Sequence, residues 1–218
     1  MELNTLLWDM DGTLLDSEPA HEQAFYAAVA ELGLQVAPDF HDACLGLSVT
    51  DVHARLCAAT GAQLTLAHWK QVKWQHYRRH GQAIQAIAGR VALLEQLAEQ
   101  GVPMAVVTNS TRDEADFNLD VSGLAGFFPV TVSRDDVERG KPAPDSYLLA
   151  AKRLDVTAAQ CLVIEDSPNG ARAGLAAGMH TLFHPETVRL LDQCPPGARL
   201  LEPGGDLPGL LQQLGIME

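Results

Sequence analysis

Positive charge is scarce in this chain. It sets 15 Lys and Arg against 28 Asp and Glu, a formal net charge of −13. That balance argues against general binding to nucleic acid or to an anionic membrane surface. It also means that an anionic ligand needs a local cation. Cysteine is sparse as well: Cys44, Cys57, Cys161 and Cys194 are scattered, with no Cys-x-x-Cys pair and no histidine at zinc-site spacing. The pattern predicts reduced thiols in a cytoplasmic protein. No positively charged stretch leads into an apolar run at the N-terminus, so no signal peptide is expected. No run approaches the roughly 18 apolar residues of a membrane-spanning helix. Internal repeats and low-complexity tracts are absent.

What is present suits a packed domain: 47% hydrophobic and 20% charged residues over 218 positions. That length accommodates one large domain, or one domain with a small insert. Short apolar runs read as buried strands: Leu3 to Met10, Val102 to Asn109, Phe128 to Ser133, Cys161 to Asp166 and His180 to His184, with a weaker one over Ala198 to Glu202. Helical patterns alternate with them over Gly89 to Gln100, Pro144 to Leu154 and from Ser167-Pro168 onward, where serine suits the N-cap and proline the first helical position. The tail after Pro185 reads as a last strand and a short Leu-rich helix. Alternating strands and helices imply an α/β fold with a Rossmann-like parallel-sheet core. The stretch from Asp16 to Gln85 breaks the rhythm, with helical segments over Pro19 to Leu32, Pro38 to Leu45, Thr50 to Ala59 and Leu66 to Arg79. The expected organisation is therefore an α/β core of residues 1–15 and 86–218, with an all-helical cap, 16–85, inserted after the first strand.

Ligands of open parallel sheets bind outside the carboxyl ends of the strands. Those ends carry Asp9 and Asp11 after the first run, Thr108, Asn109 and Ser110 after the second, and Glu165 and Asp166 after Cys161 to Ile164. Clustered carboxylates repel one another unless a cation sits among them, and hard oxygen ligands favour Mg²⁺. An EF-hand reading of Asp9 to Thr13 fails: Gly12 stands fourth in the loop, and the twelfth residue is Ala20. The glycines of GARAGLAAG are wrongly spaced for a dinucleotide fingerprint; Ala173, Gly174 and Ala177 fit close packing of a helix on the sheet instead.

Four segments in order resemble the motifs of the haloacid dehalogenase superfamily: DMDGTLLDSE from Asp9, VVTNS ending at Ser110, GKPAPD from Gly140 and VIEDSPNG from Val163. The resemblance spans nearly the whole chain. A helical insert straight after the first motif is similar to the cap of the β-phosphoglucomutase-like and sugar-phosphatase branch. It implies that Asp9 attacks phosphorus and becomes an aspartyl phosphate, and that Asp11 protonates the leaving alcohol and deprotonates the attacking water. It implies that Thr108 binds a phosphoryl oxygen, with Asn109 supporting the loop. Lys141 then neutralises phosphate and Asp9 together. Mg²⁺ is expected on Asp9, the main-chain carbonyl of Asp11 and Asp166, with Glu165 either a ligand or a support for one. Gly46 and His21 in the cap, and Arg112 after the second motif, are candidates for substrate contact.

The resemblance thus implies an Mg-dependent phosphatase of a small phosphorylated metabolite, a sugar phosphate or a phosphoglycolate-like molecule. Neither nucleic acid nor membrane is expected as a partner, and nothing requires more than a monomer. Phosphomutase relatives carry a lysine just before the cap glycine and an arginine three residues after it. Leu45 and Val49 stand there instead, which speaks against a mutase. A non-catalytic phospho-ligand-binding protein is a third reading, disfavoured by the intact set Asp9, Asp11, Thr108, Lys141 and Asp166. Dehalogenase chemistry uses no magnesium and leaves the metal carboxylates unexplained.

Overall fold

The computed structural model describes residues 3–44 and 47–218. The chain divides into two compact units, residues 17–84 and residues 1–16 with 85–218.

The first unit holds three α-helices among its described residues: α1 (Glu18–Glu31), α2 (Val49–Thr60) and α3 (Leu66–His80). Each start has a local cause. A proline stands in the first turn of α1. The Ser48 and Thr65 hydroxyls accept the N–H groups of Asp51 and His68 to cap α2 and α3. The helices enclose Phe25, Ala28, Val29, Leu56, Trp69 and Val72, with Trp69 edge-on to Phe25 at 5.5 Å between centroids. Over its described part, 38–44, the helix expected over 38–45 is reduced to a turn and a short 3₁₀ segment, Asp42–Cys44. Tyr26 explains this, because its hydroxyl donates to the Pro38 carbonyl and accepts the His41 N–H. Those side-chain bonds occupy backbone groups that a helix would use.

The second unit is built on a six-stranded sheet. Its elements are β1 (Thr5–Trp8), α4 (Arg90–Glu99), β4 (Met104–Val107), α5 (Arg112–Val121), β5 (Val130–Val132), α6 (Asp145–Arg153), β6 (Cys161–Glu165), α7 (Pro168–Ala176), β7 (His180–Phe183), β8 (Arg199–Leu200) and α8 (Leu207–Gln213). The strand order is β5-β4-β1-β6-β7-β8, and every pairing is parallel. All residues of β1, β4 and β6 are buried. Strands covered on both faces read as continuous apolar runs, which is how these three appear in the sequence. A separate antiparallel ribbon pairs β2 (Leu15–Asp16) with β3 (Gln85–Ala86). The sequence reading contains no strand at either place; two residues have no period to detect.

The chain places β4 and β5 on one side of β1, then crosses to place β6, β7 and β8 on the other. The strand order therefore reverses at β1. In such sheets the crevice outside the carboxyl ends at the reversal is where ligands bind, and Asp9 is the residue that follows β1.

Candidate active site

Asp9 leaves β1 with its N–H bonded to the Ile164 carbonyl of β6 at 3.0 Å. The centre of the site is Lys141. Its ammonium donates to Asp9 Oδ1 at 2.5 Å, Glu165 Oε1 at 2.6 Å and the Val107 carbonyl at 2.7 Å. An ammonium has three donors, and all three are used here. The Lys141 side chain is only 3% exposed. Burial alone would lower its proton affinity, but the Asp9 and Glu165 carboxylates outweigh burial and raise it above the ordinary lysine range. Its charge is thus fixed.

Asn109 holds the lysine's backbone at two points. Its Oδ1 accepts the Lys141 N–H at 2.9 Å, and its Nδ2 donates to the Lys141 carbonyl at 3.2 Å. Buried Thr108 accepts the Ser110 N–H at 2.9 Å. Ser110 in turn donates from its hydroxyl to Asp11 Oδ2 at 2.8 Å, and Asn118 Nδ2 lies 3.3 Å from Asp11 Oδ1. The loop after β4 and the first turns of α5 therefore orient Asp11.

Glu165 is fully buried. Lys141 and the Tyr147 hydroxyl, the latter at 2.8 Å, share its Oε1. Its Oε2 accepts the Ser167 hydroxyl at 3.0 Å and the Ser167 N–H at 3.3 Å. A Cβ at Gly170 would overlap this carboxylate, so glycine there makes room for it. Asp166 is half-buried, and the Thr13 hydroxyl reaches its Oδ1 at 3.3 Å. Gly12 has φ of 79°, and a Cβ on it would stand 2.8 Å from Asp166 Cγ. Both the left-handed backbone and the close approach require glycine.

Carboxylate oxygens of Asp9, Glu165 and Asp166 lie within 4.8 Å of one another. Burial first, then Glu165, pushes the Asp9 carboxyl up to about 8 despite Lys141. Burial and the Asp9 and Glu165 charges push Asp166 well above the carboxylate range. One lysine does not balance three carboxylates. Such a group calls for a proton or a further cation, and its all-oxygen donor set fits Mg²⁺.

Not every expected residue joins this cluster. The Asp11 carboxylate lies outside the group of three and is held by Ser110 and Asn118. Glu165 does join it, and its two oxygens also accept protein donors. Arg112 was expected to contact an anion, but its guanidinium is engaged with Asp136, with Asp116 at 3.2 Å and with the Thr131 carbonyl at 3.0 Å. His21, on α1, stacks on Tyr77 with ring centroids 4.4 Å apart. Gly46, with Leu45, lies outside the described residues. Tyr147 and Asn118 are partners that the sequence reading missed. Tyr147 falls within the helix expected over Pro144 to Leu154, and a buried tyrosine hydroxyl usually needs a partner.

The model of the haloacid dehalogenase-like hydrolases matches residues 6–184. The chain belongs to that family. Its relatives include the plasmid protein CbbY of Cupriavidus necator, 34% identical over 92% of this chain and 85% of its own length. Hexitol phosphatase A of Escherichia coli is 33% identical over 84% of this chain and 83% of its own. Fructose-1-phosphate phosphatase YqaB of the same organism is 33% identical over 85% and 96%. Among solved structures, a putative β-phosphoglucomutase from Thermotoga maritima aligns with a TM-score of 0.78 at 27% identity, covering 98% of this chain and 99% of that one. A variant of CbbY from Rhodobacter sphaeroides, in complex with xylulose-1,5-bisphosphate, aligns with a TM-score of 0.80 at 25% identity over 91% and 93%. These likenesses put the chain in the β-phosphoglucomutase-like branch, on the α/β fold seen here.

Proposed function

We propose that this protein is a phosphoric monoester hydrolase of small phosphorylated sugars, working through a phosphorylated Asp9. The observation that carries the reading is the buried ion pair of Lys141 with Asp9 at 2.5 Å, at the sheet's reversal point. A lysine fixed in its charged form beside a carboxylate neutralises an incoming phosphate without losing hold of the nucleophile. Hexitol phosphatase A and fructose-1-phosphate phosphatase, both phosphatases of phosphorylated carbohydrates by name, support the choice of substrate class.

In this reading, Asp9 attacks phosphorus, and the bond from phosphorus to the leaving alcohol's oxygen breaks. Asp11 gives that oxygen a proton, then takes one from the water that hydrolyses the aspartyl phosphate. Ser110 and Asn118 orient Asp11 for both steps. Thr108 and the main-chain N–H groups of its loop receive phosphoryl oxygens. Asp9, Asp166 and the Asp11 main-chain carbonyl would hold Mg²⁺, with Glu165 keeping Lys141 in place behind them. When bound, Mg²⁺ offsets the negative charge gathered on the carboxylates and phosphate.

A mutase would need cap cations to hold a second phosphate. Leu45 and Val49 stand where the phosphomutase relatives carry theirs, and this favours water as the acceptor. The test is to incubate the protein with Mg²⁺ and a panel of hexose, hexitol and pentose phosphates, measuring both inorganic phosphate and isomer formation. Phosphate release without isomerisation is expected. Isomerisation without release, or full activity in Asp9→Asn, refutes the proposal.

A further inference from the structure

Arg90 is the first residue of α4 and is only 8% exposed. Sequence reasoning assigned it nothing. Burying a guanidinium is costly unless its donors are used. Here Nε donates to the main-chain carbonyl of Thr13 at 2.8 Å. Thr13 follows Gly12 in the loop after Asp9, and its own hydroxyl reaches Asp166 Oδ1. The same loop is closed by the Gly12 N–H on the Leu15 carbonyl and by the pairing of Leu15 with Ala86. Gly12 is seated directly against the Asp166 carboxylate. A shift of the Thr13 peptide would therefore be felt at Asp166 through the Thr13 hydroxyl.

We infer that Arg90 is a positioning residue for the cation site, acting through Thr13 to hold Asp166 in its ligating orientation. The inference rests on the proposed Mg²⁺ site. It differs from an ordinary packing role because it predicts an effect on cation affinity transmitted by one named residue. Partners of metal ligands typically cost 10–100-fold in metal affinity when removed. The Thr13–Asp166 contact is long at 3.3 Å, so the lower end is expected.

The test measures Mg²⁺ binding to the substrate-free protein by calorimetry, with the unfolding midpoint recorded with and without Mg²⁺. Wild type, Arg90→Gln, Arg90→Lys, Thr13→Val and the double variant Arg90→Gln/Thr13→Val are compared. Arg90→Gln and Thr13→Val are each expected to weaken Mg²⁺ binding about tenfold. The double variant should be no weaker than either single one, and Arg90→Lys should recover most of the affinity. Wild-type affinity in Arg90→Gln, even with a lowered midpoint, overturns the inference. So does full additivity in the double variant. If Arg90→Gln does not fold, wild-type affinity in Thr13→Val overturns it alone. A wild type that binds no Mg²⁺ defeats the proposed cation site itself, and this inference with it. That failure is distinct from an intact wild-type affinity that Arg90 leaves unmoved.

Discussion

Gly170→Ala is the sharpest test of how the site is packed. Gly170 is the third residue of α7, where alanine should ordinarily help: replacing glycine in a helix stabilises by about 1 kcal/mol. The structure predicts the opposite sign. All three atoms nearest to a built Cβ belong to the Glu165 carboxylate, and they lie too close for any real contact. The methyl group must displace that carboxylate, and with it the acceptor shared by Lys141 and Tyr147. Breaking a buried ion pair costs about 3–5 kcal/mol. Against the helix gain, the net loss is about 2–4 kcal/mol, or about 5–15 °C in the unfolding midpoint for a chain of this size. Phosphate release should fall at least tenfold, since Lys141 loses one of the two carboxylates that hold it. Gly126→Ala is the control. Nothing stands within 4 Å of its Cβ, so its effect should stay within about 0.5 kcal/mol. Thermal unfolding and phosphate release measured on both variants decide the matter. A Gly170→Ala protein with an unchanged or raised midpoint and full activity would show that Glu165 is not confined as described.

Further outcomes follow from the same network. Asp9→Asn should lower phosphate release by more than about a thousandfold while leaving the protein folded; a variant within tenfold of wild type removes Asp9 as the nucleophile. Tyr147→Phe deletes one hydrogen bond to a charged acceptor and should cost about 1.5–3 kcal/mol in urea unfolding, with no effect expected if the hydroxyl were idle. Chelation with EDTA should abolish activity, and added Mg²⁺ should restore it; undiminished turnover in chelator refutes the metal requirement. Burial favours the protonated form of Asp136, but hydrogen bonds from Arg153 and from the Ser133 N–H and hydroxyl, with Arg112, outweigh it and hold the carboxyl far below its usual range. A lowered folded-state value stabilises above the ordinary carboxylate value of about 3.9 and is lost as pH falls through the folded one. The stability gap between wild type and Asp136→Asn should therefore stay constant from pH 7 to 5 and close on acidification below about pH 4. An equal gap at pH 7 and pH 3 refutes it.

Which parts of this site are legible in the sequence depends on chain separation. The central strands announce themselves because burial on both faces leaves an unbroken apolar run, as in Cys161 to Ile164. Lys141 is legible only through the resemblance of the segment from Gly140 to Asp145 to a family motif, whereas Asp9 and Asp166 are legible because each closes such an apolar run. The same logic finds Gly174 as a point of close helix-to-sheet packing; a Cβ there would lie 2.7 Å from Thr181 Oγ1. Other features exist only once the chain has closed. Tyr147 meets Glu165 across 18 residues, Arg90 meets Thr13 across 77, and Asn118 meets Asp11 across 107. No periodicity or spacing encodes such pairs. The failed helix over 38–45 has the same origin: Tyr26 removes local backbone bonds from across a turn, and propensity cannot register that. Arg112 is the converse case. A cation after the second motif invites an anionic ligand, yet its guanidinium is engaged with Asp136 and Asp116. Lys141 is just as fully engaged, by Asp9, Glu165 and the Val107 carbonyl. What separates the two cations is that Lys141 sits beside Asp9 where the strand order reverses, a juxtaposition across 132 residues that no local pattern encodes.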